Sequence, residues 1–475
     1  MKTPVAAAVL LCVLALPGLA ATYYVNGARG DDASAGASPE SAWKTLDKAN
    51  ASLMPGDTCL VRGGVYAATQ IAPARSGTAE ARITYAAYRN EKPEVTGGKS
   101  GAIVFLNNRS YVTVKGFRIH SPAEHDWTVS VAGADARYNR VEGCDVTDPQ
   151  GYVCIDVADG ASYNEIVGNT CHDTGHGDEQ SGDCIVLNQG AHHNTIVANR
   201  CYNACHSQIL VLKGSKNNVI QDNECYSTDP KWAGAGIDVV RNADSNVVRG
   251  NRIHDLGAIT MIKDAIQIDS ANNTVDHNVI YNCARFGIWL ESMDFRGEGQ
   301  EAKNNLIANN TVYNCGRQGL YVNFKRGFIT ADNRFVNNIV TGSPEVFEGL
   351  KASILIVYTD RAIDEMAPSA WFGNVFRNNL FWHEKAGEPG MALYRHKNGT
   401  VTWSLPELEK AFPENFSGNI EVKPEFVDVS KGDFRLVSGS PLIDAGLDVG
   451  LAFEGKAPDV GAVESVAPAT GQGAR

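Results

Sequence analysis

The sequence predicts an all-β solenoid, a single stack of short parallel strands, and three observations carry that reading. A six-residue phrase, Asn-x-(Ile/Val/Phe)-x-x-Asn, returns at Asn164, Asn194, Asn218, Asn246, Asn273, Asn305, Asn333 and Asn374, with a ninth copy at Asn139 that closes on Cys144. Successive copies start 24 to 32 residues apart, with one gap of 41 before Asn374, and a self-similar period of that size marks stacked coils. Between copies the apolar residues alternate in bursts: Ile155/Val157, Ile185/Leu187, Ile209/Val211, Ile237/Val239, Ile266/Ile268, Ile288/Leu290 and Leu320/Val322. That period belongs to strands with one face on a core. A helical period is almost absent, which argues against leucine-rich and helical repeats.

In a parallel stack, identical amides about 4.8 Å apart can hydrogen-bond up and down a ladder. Asn also tolerates left-handed backbone, so it is expected to occupy the tight turn of each coil. Two places after each closing residue runs an apolar column, Val146, Cys171, Cys201, Cys225, Ile253, Ile280, Val312 and Val340, which is expected to be core. The pattern resembles the right-handed parallel β-helix of secreted polysaccharide lyases and related carbohydrate-active proteins. The opening YYVNGARGDDASAGASPESAWKTLDKA and the closing stretch from Pro424 to Glu464 are similar to the two ends of many such chains. The resemblance implies a single-stranded right-handed parallel β-helix with an N-terminal capping helix.

Residues 1–20 read as an export signal: one Lys, an apolar run from Val5 to Leu16, then small residues before Ala21. The expected location is secreted or periplasmic. The run is too short for a membrane span and no later stretch approaches one. Residues 21–105 form the cap and first coils, with Ser38 as N-cap and Trp43, Leu46 and Leu53 on one apolar helix face. The cap is needed because an open core end is an edge liability. Residues 106–381 are the repeats, 382–465 the C-terminal coils and loops, with a short helix from Ser404, and 466–475 a disordered tail.

A net charge of −12 disfavours a nucleic-acid partner, and the chain reads as a monomer acting on an anionic polysaccharide. Ten cysteines follow the signal segment. Cys171, Cys201 and Cys225 read as small core residues. Cys154 and Cys184 fall at equivalent places on adjacent coils and form the expected disulfide, with Cys283 and Cys315 a second possible pair.

Chemistry lies in what the repeats do not need. The residue between the two apolar positions of each strand points outward: Asp156, Val186, Leu210, Asp238, Gln267, Trp289 and Tyr321. An exposed Trp289 beside Tyr321 would offer flat faces to sugar rings. Three places before the first apolar position runs Asp126, Tyr152, Gly182, His206, Gly234, Lys263, Arg285 and Arg317. That row of cations, with Arg285 and Arg317 able to hold a carboxylate bidentately, reads as a groove for an anionic chain; solvated turn residues are the plain alternative. Arg241 and Lys213 are further candidate substrate contacts.

The resemblance implies elimination at a uronate. Lys263 is then the first candidate base and His206 the second, with Arg285 beside them. Asp183, Asp238 and Asp264 are candidate ligands for calcium, which in lyases of this fold neutralises the uronate carboxylate. Two other readings stay open: a glycoside hydrolase using two of Asp156, Asp183, Asp238 and Asp264, and a noncatalytic binding protein using the Trp289/Tyr321 strip.

Overall fold

A computed structural model gives the structure of residues 20–465, apart from 98–100, 121–126, 148–150, 176–181, 230–231, 233, 258–263, 296–297, 325–329, 342–353, 359–371, 384–391 and 397–398. The expected signal segment, the tail, Asp126, the loop from 176 to 181 and Lys263 therefore lie outside the described residues.

Each coil places one short strand in each of three sheets, of 14, 12 and 12 strands among the described residues, parallel except for one antiparallel pair at the C-terminal end of the third. One coil runs Glu165–Val167, Thr170–Thr174 and Asp183–Leu187; the next runs Thr195–Val197, Arg200–Ala204 and Ser207–Val211. The strands are short because each needs only one or two inward residues, such as Ile166, Cys171, Ile185 and Leu187, all fully buried. The expected core column is in register through the second sheet, from Val146 by way of Cys171, Cys201, Cys225, Ile253, Ile280 and Val312 to Val340. The chain is a parallel β-helix, as its repeats predict.

The phrase builds two amide ladders. In one, Asn194 Nδ2 donates to Asn218 Oδ1 at 3.0 Å and Asn218 Nδ2 to Asn246 Oδ1 at 3.0 Å. In the other, Asn199 donates to Asn223 at 3.0 Å and Asn223 to Asn251 at 3.0 Å. Cys144 joins the second ladder only through its backbone N–H, which donates to Asn169 Oδ1 at 2.9 Å. The left-handed corner is not made by the ladder Asn, contrary to expectation. It falls on the residue just before it, as at His193 (φ 57°), Asn217 (φ 56°), Ala198 (φ 56°) and Asp222 (φ 54°). That corner turns the following Asn side chain inward, where it meets the carbonyl and amide of neighbouring coils.

The cap differs in its start. The helix spans Leu46–Ser52 and its N-cap is Thr45, whose hydroxyl accepts from Lys48 N at 3.1 Å. Asp32 fixes that cap, accepting from Thr45 Oγ1 at 2.8 Å and Lys44 N at 2.8 Å, while Ser38 sits in a turn closed by Ser41. Trp43, Leu46 and Leu53 are buried as expected. The second short helix, Leu405–Ala411, starts from Ser404 with Glu407 completing a capping box.

The expected Cys154–Cys184 disulfide is absent: the ten described cysteines are buried thiols outside any disulfide, Cys283 and Cys315 included. The Cys184 thiol donates to Cys171 O at 3.2 Å and the Cys154 thiol to Val146 O at 3.6 Å. The thiols are thus committed to carbonyls inside the coil. Among the described residues no helix is long and apolar enough to cross a membrane.

Candidate functional site

The outer face of the third sheet carries the predicted outward row in register. Ser130 pairs with Asp156, Asp156 with Val186, Val186 with Leu210, Leu210 with Asp238, Asp238 with Gln267, Gln267 with Trp289 and Trp289 with Tyr321. The second row is also aligned: His206 N donates to Gly182 O at 3.0 Å, and Arg317 N to Arg285 O at 3.1 Å. Alternation along each strand thus puts two parallel rows of side chains on one face.

At the N-terminal end of this face lies a cleft of about 330 Å³, lined by Trp127, Tyr152, Asp156, Asp159, Asp183 and Leu210 among others. Asp183 is held by His206, Oδ1 to Nδ1 at 2.8 Å. Ser207, fully buried, donates to Asp238 Oδ2 at 2.7 Å and lies 3.1 Å from His206 Nδ1. A carboxylate at Nδ1 makes that nitrogen the donor, so Nε2 carries the lone pair of the neutral ring. Burial pushes the Asp156 carboxyl up to about 7, with Asp159 and Asp183 adding to the effect and Lys213 opposing it.

Lys213 and Arg241 stand on successive coils at the far edge of the sheet, joined by Gly214 N donating to Arg241 O at 3.1 Å. Arg241 N donates to Asp269 Oδ1 at 2.8 Å, and burial pushes that carboxyl up to about 8.

The C-terminal end holds Asp264, Arg285, Phe286, Trp289, Arg317 and Tyr321. Arg285 is 7% exposed, its Nη1 is 3.6 Å from Asp264 Oδ1, and its Nε and Nη1 make no hydrogen bond. Its guanidinium lies 4.9 Å from the Phe286 ring centroid and 5.5 Å from that of Trp289. Phe286 stacks on Tyr321 at 4.2 Å, and Arg317 lies 5.7 Å over the same Phe286 ring. Burial pushes the Asp264 carboxyl up to about 7 against the pull of Arg285, and burial with the neighbouring Arg285 lowers Arg317.

Several expectations need correcting. Trp289 faces outward but is only 8% exposed and meets Tyr321 edge-on at 5.7 Å. Arg285 lies over its ring and Phe286 meets it edge-on at 6.0 Å, so it is not an open sugar platform. Asp183, Asp238 and Asp264 do not converge. Asp183 and Asp238 are held apart by His206 and Ser207 between them, and Asp264 is engaged by Phe286 N and Arg285. Among the described residues no three His, Cys, Asp or Glu side chains group as metal ligands, so this trio does not fit calcium. Sequence reasoning missed Ser207 and Phe286. Phe286 had one signal, an aromatic directly after a candidate Arg.

Residues 23–179 match the family model described as "Pel9A-like, right handed beta helix region", and residues 203–381 match "Right handed beta helix region". The structure of pectate lyase Pel9A is similar over 94% of this chain and 97% of its own, with a TM-score of 0.54 and 16% identity. A mannuronic acid specific polysaccharide family 6 lyase from human gut microbiota is similar over 80% of this chain and 89% of its own, with a TM-score of 0.56 and 15% identity. A lacto-N-biosidase of Bifidobacterium longum subsp. longum is 43% identical over 72 residues, 14% of this chain; the chain spans 4% of that relative's length. The chain is a right-handed parallel β-helix protein, of the architecture shared by pectate and alginate lyases.

Proposed function

We propose that this protein is an exported polysaccharide lyase that cleaves a uronate-containing anionic polysaccharide by β-elimination. The observation that carries the reading is Arg285, a buried guanidinium with two nitrogens that make no hydrogen bond, beside a carboxyl that is half protonated near neutral pH. A buried charge without a full partner is costly, and a uronate carboxylate would supply the missing bidentate acceptor. Lys263, one residue before Asp264, takes the proton from C5. The electron pair forms the C4–C5 double bond, and the C4–O bond breaks with the oxygen leaving toward a proton donor. Arg285 neutralises the carboxylate on which charge builds, an interaction that strengthens in the transition state, and Arg317 binds the adjacent unit. The lyase names of the pectate and mannuronic acid specific neighbours support the reading.

The test is digestion of a panel of uronate and neutral polysaccharides, with products examined for the ultraviolet absorbance of an unsaturated uronate. Absorbing products from wild type, and none from Lys263→Ala with binding retained, are expected. If Lys263→Ala stays active while His206→Ala does not, the base is the Asp183-held imidazole. Calcium enters as a variable: because the three Asp do not converge, EDTA should leave turnover unchanged.

A second reading rests on the cleft. Asp156, raised to about 7, and Asp183, tied to His206, are the unlike pair a glycoside hydrolase requires. Saturated products, lost in Asp156→Asn, would select it.

A further inference from the structure

Charge changes sign along the groove. The turn that closes each strand of the third sheet carries Asp159, Gln189, Lys213 and Arg241 on four successive coils. They are linked by Gly160 N donating to Gln189 O at 3.1 Å, Gly190 N to Lys213 O at 3.0 Å and Gly214 N to Arg241 O at 3.1 Å. All four have the same left-handed backbone, φ 54°, 48°, 50° and 55°, so the fold leaves the side chain open to choice. The opposite edge runs from Tyr152 and Gly182 through His206 to Arg285 and Arg317. Of the acids further along, Asp238 is tied to Ser207 and Asp264 faces Arg285.

The cleft at the acidic end is a built pocket. Asp156 lines it, is 8% exposed and makes no hydrogen bond among the described residues. The walls are apolar or aromatic, from Val186, Leu210, Trp127 and Tyr152, with a few convergent polar groups, the composition of a small-ligand pocket. A uronate carboxylate placed there would meet Asp159, Asp183 and the partly ionised Asp156, with Lys213 the cation opposing them, and the balance repels it. An uncharged ring would not, and a carboxyl titrating near 7 can both donate to and accept from its hydroxyl or acetamido groups. Five strand spacings separate this cleft from Arg285, about 24 Å, so both ends can hold units of one chain.

We infer that the substrate is a mixed polysaccharide, with an uncharged sugar seated in the Asp156 cleft and a uronate at Arg285, rather than a homopolymer of uronate. This deepens the lyase reading and rests on it.

The test compares kcat/KM on polygalacturonate and polymannuronate with that on chondroitin and hyaluronan, for wild type and Asp159→Lys. Lysine already occupies the same turn position at Lys213, so the substitution adds no backbone strain. Wild type should favour the mixed polymers at least tenfold, and Asp159→Lys should narrow that ratio about tenfold by improving the homopolymers. Homopolymers cleaved as well as mixed ones, with the ratio unmoved in Asp159→Lys, would overturn the inference while unsaturated products kept the lyase reading. Saturated products would overturn the lyase reading instead. Calorimetric binding to Lys263→Ala gives an arm independent of turnover. Size-matched mixed oligosaccharides should bind at least tenfold tighter than uronate ones, and equal binding, or none to the mixed ones, overturns the inference.

Discussion

Arg285 and Asp264 form a pair whose balance depends on pH. Asp264 has its carboxyl raised to about 7, so above that pH its negative charge pairs with Arg285 and competes with a bound uronate. KM for a uronate polymer should therefore rise as pH climbs through 7, and Asp264→Asn should remove that rise; a KM independent of pH in wild type would count against the pairing. Arg285→Lys keeps the charge but loses the planar fork, and should lower kcat/KM on the order of 100-fold, checked by steady-state kinetics. The two rows were legible in the sequence because strand alternation alone fixes which positions face out. Burial was not. Trp289 counts as outward by register, yet whether Arg285 and Phe286 close over it depends on side-chain packing that alternation does not encode. Ser207 was missed for the same reason, since nothing local marks a fully buried hydroxyl beneath a carboxylate.

The amide ladders are the elements that fix coil spacing. Asn223 donates to Ile196 O at 2.9 Å and Asn251 Oδ1 at 3.0 Å, and its own Oδ1 accepts from Asn199 N at 2.9 Å and Asn199 Nδ2 at 3.0 Å. Asn223→Leu strands several of these buried groups at once, so a loss of about 3 kcal/mol is expected in urea unfolding; an unchanged midpoint would mean the ladder is not holding the coils. The cysteine columns give a second check. Thiol labelling of unreduced, denatured protein should find Cys154 and Cys184 reactive. Protection of both would restore the disulfide that equivalent positions on adjacent coils suggested. Spacing in sequence gives the column but not the direction of each thiol, which is set by the carbonyl it meets. The cap helix shows the same limit: Ser38 and Thr45 are both plausible N-caps, and Asp32 decides between them from 13 residues away.

Across the whole molecule the solenoid was readable from the repeat, because each coil meets only its neighbours and local pattern repeats the global fold. Its stability should follow a defined pH course. Asp156 and Asp264, raised to about 7, and Asp269, raised to about 8, favour the folded state fully below the ordinary carboxyl value of 3.8 and lose that contribution as pH rises through 7 to 8. His277, raised to about 9 by Asp276 and Glu464 against its burial, contributes below 6.5 and loses it as pH rises through 9. Both trends point the same way, so Tm should fall from pH 5 to pH 9, and Asp269→Asn should flatten the fall. A Tm that rose over that range would contradict the buried-acid assignment.

Elimination at a uronate and hydrolysis differ in the mass of their products. When a uronate-containing oligosaccharide of defined length is cut, elimination leaves two fragments whose masses sum to that of the substrate, with the unsaturated end on one of them. Hydrolysis adds one water to the sum. Fragments summing to the substrate mass, lost in Lys263→Ala, are expected; fragments heavier by one water would rule out elimination.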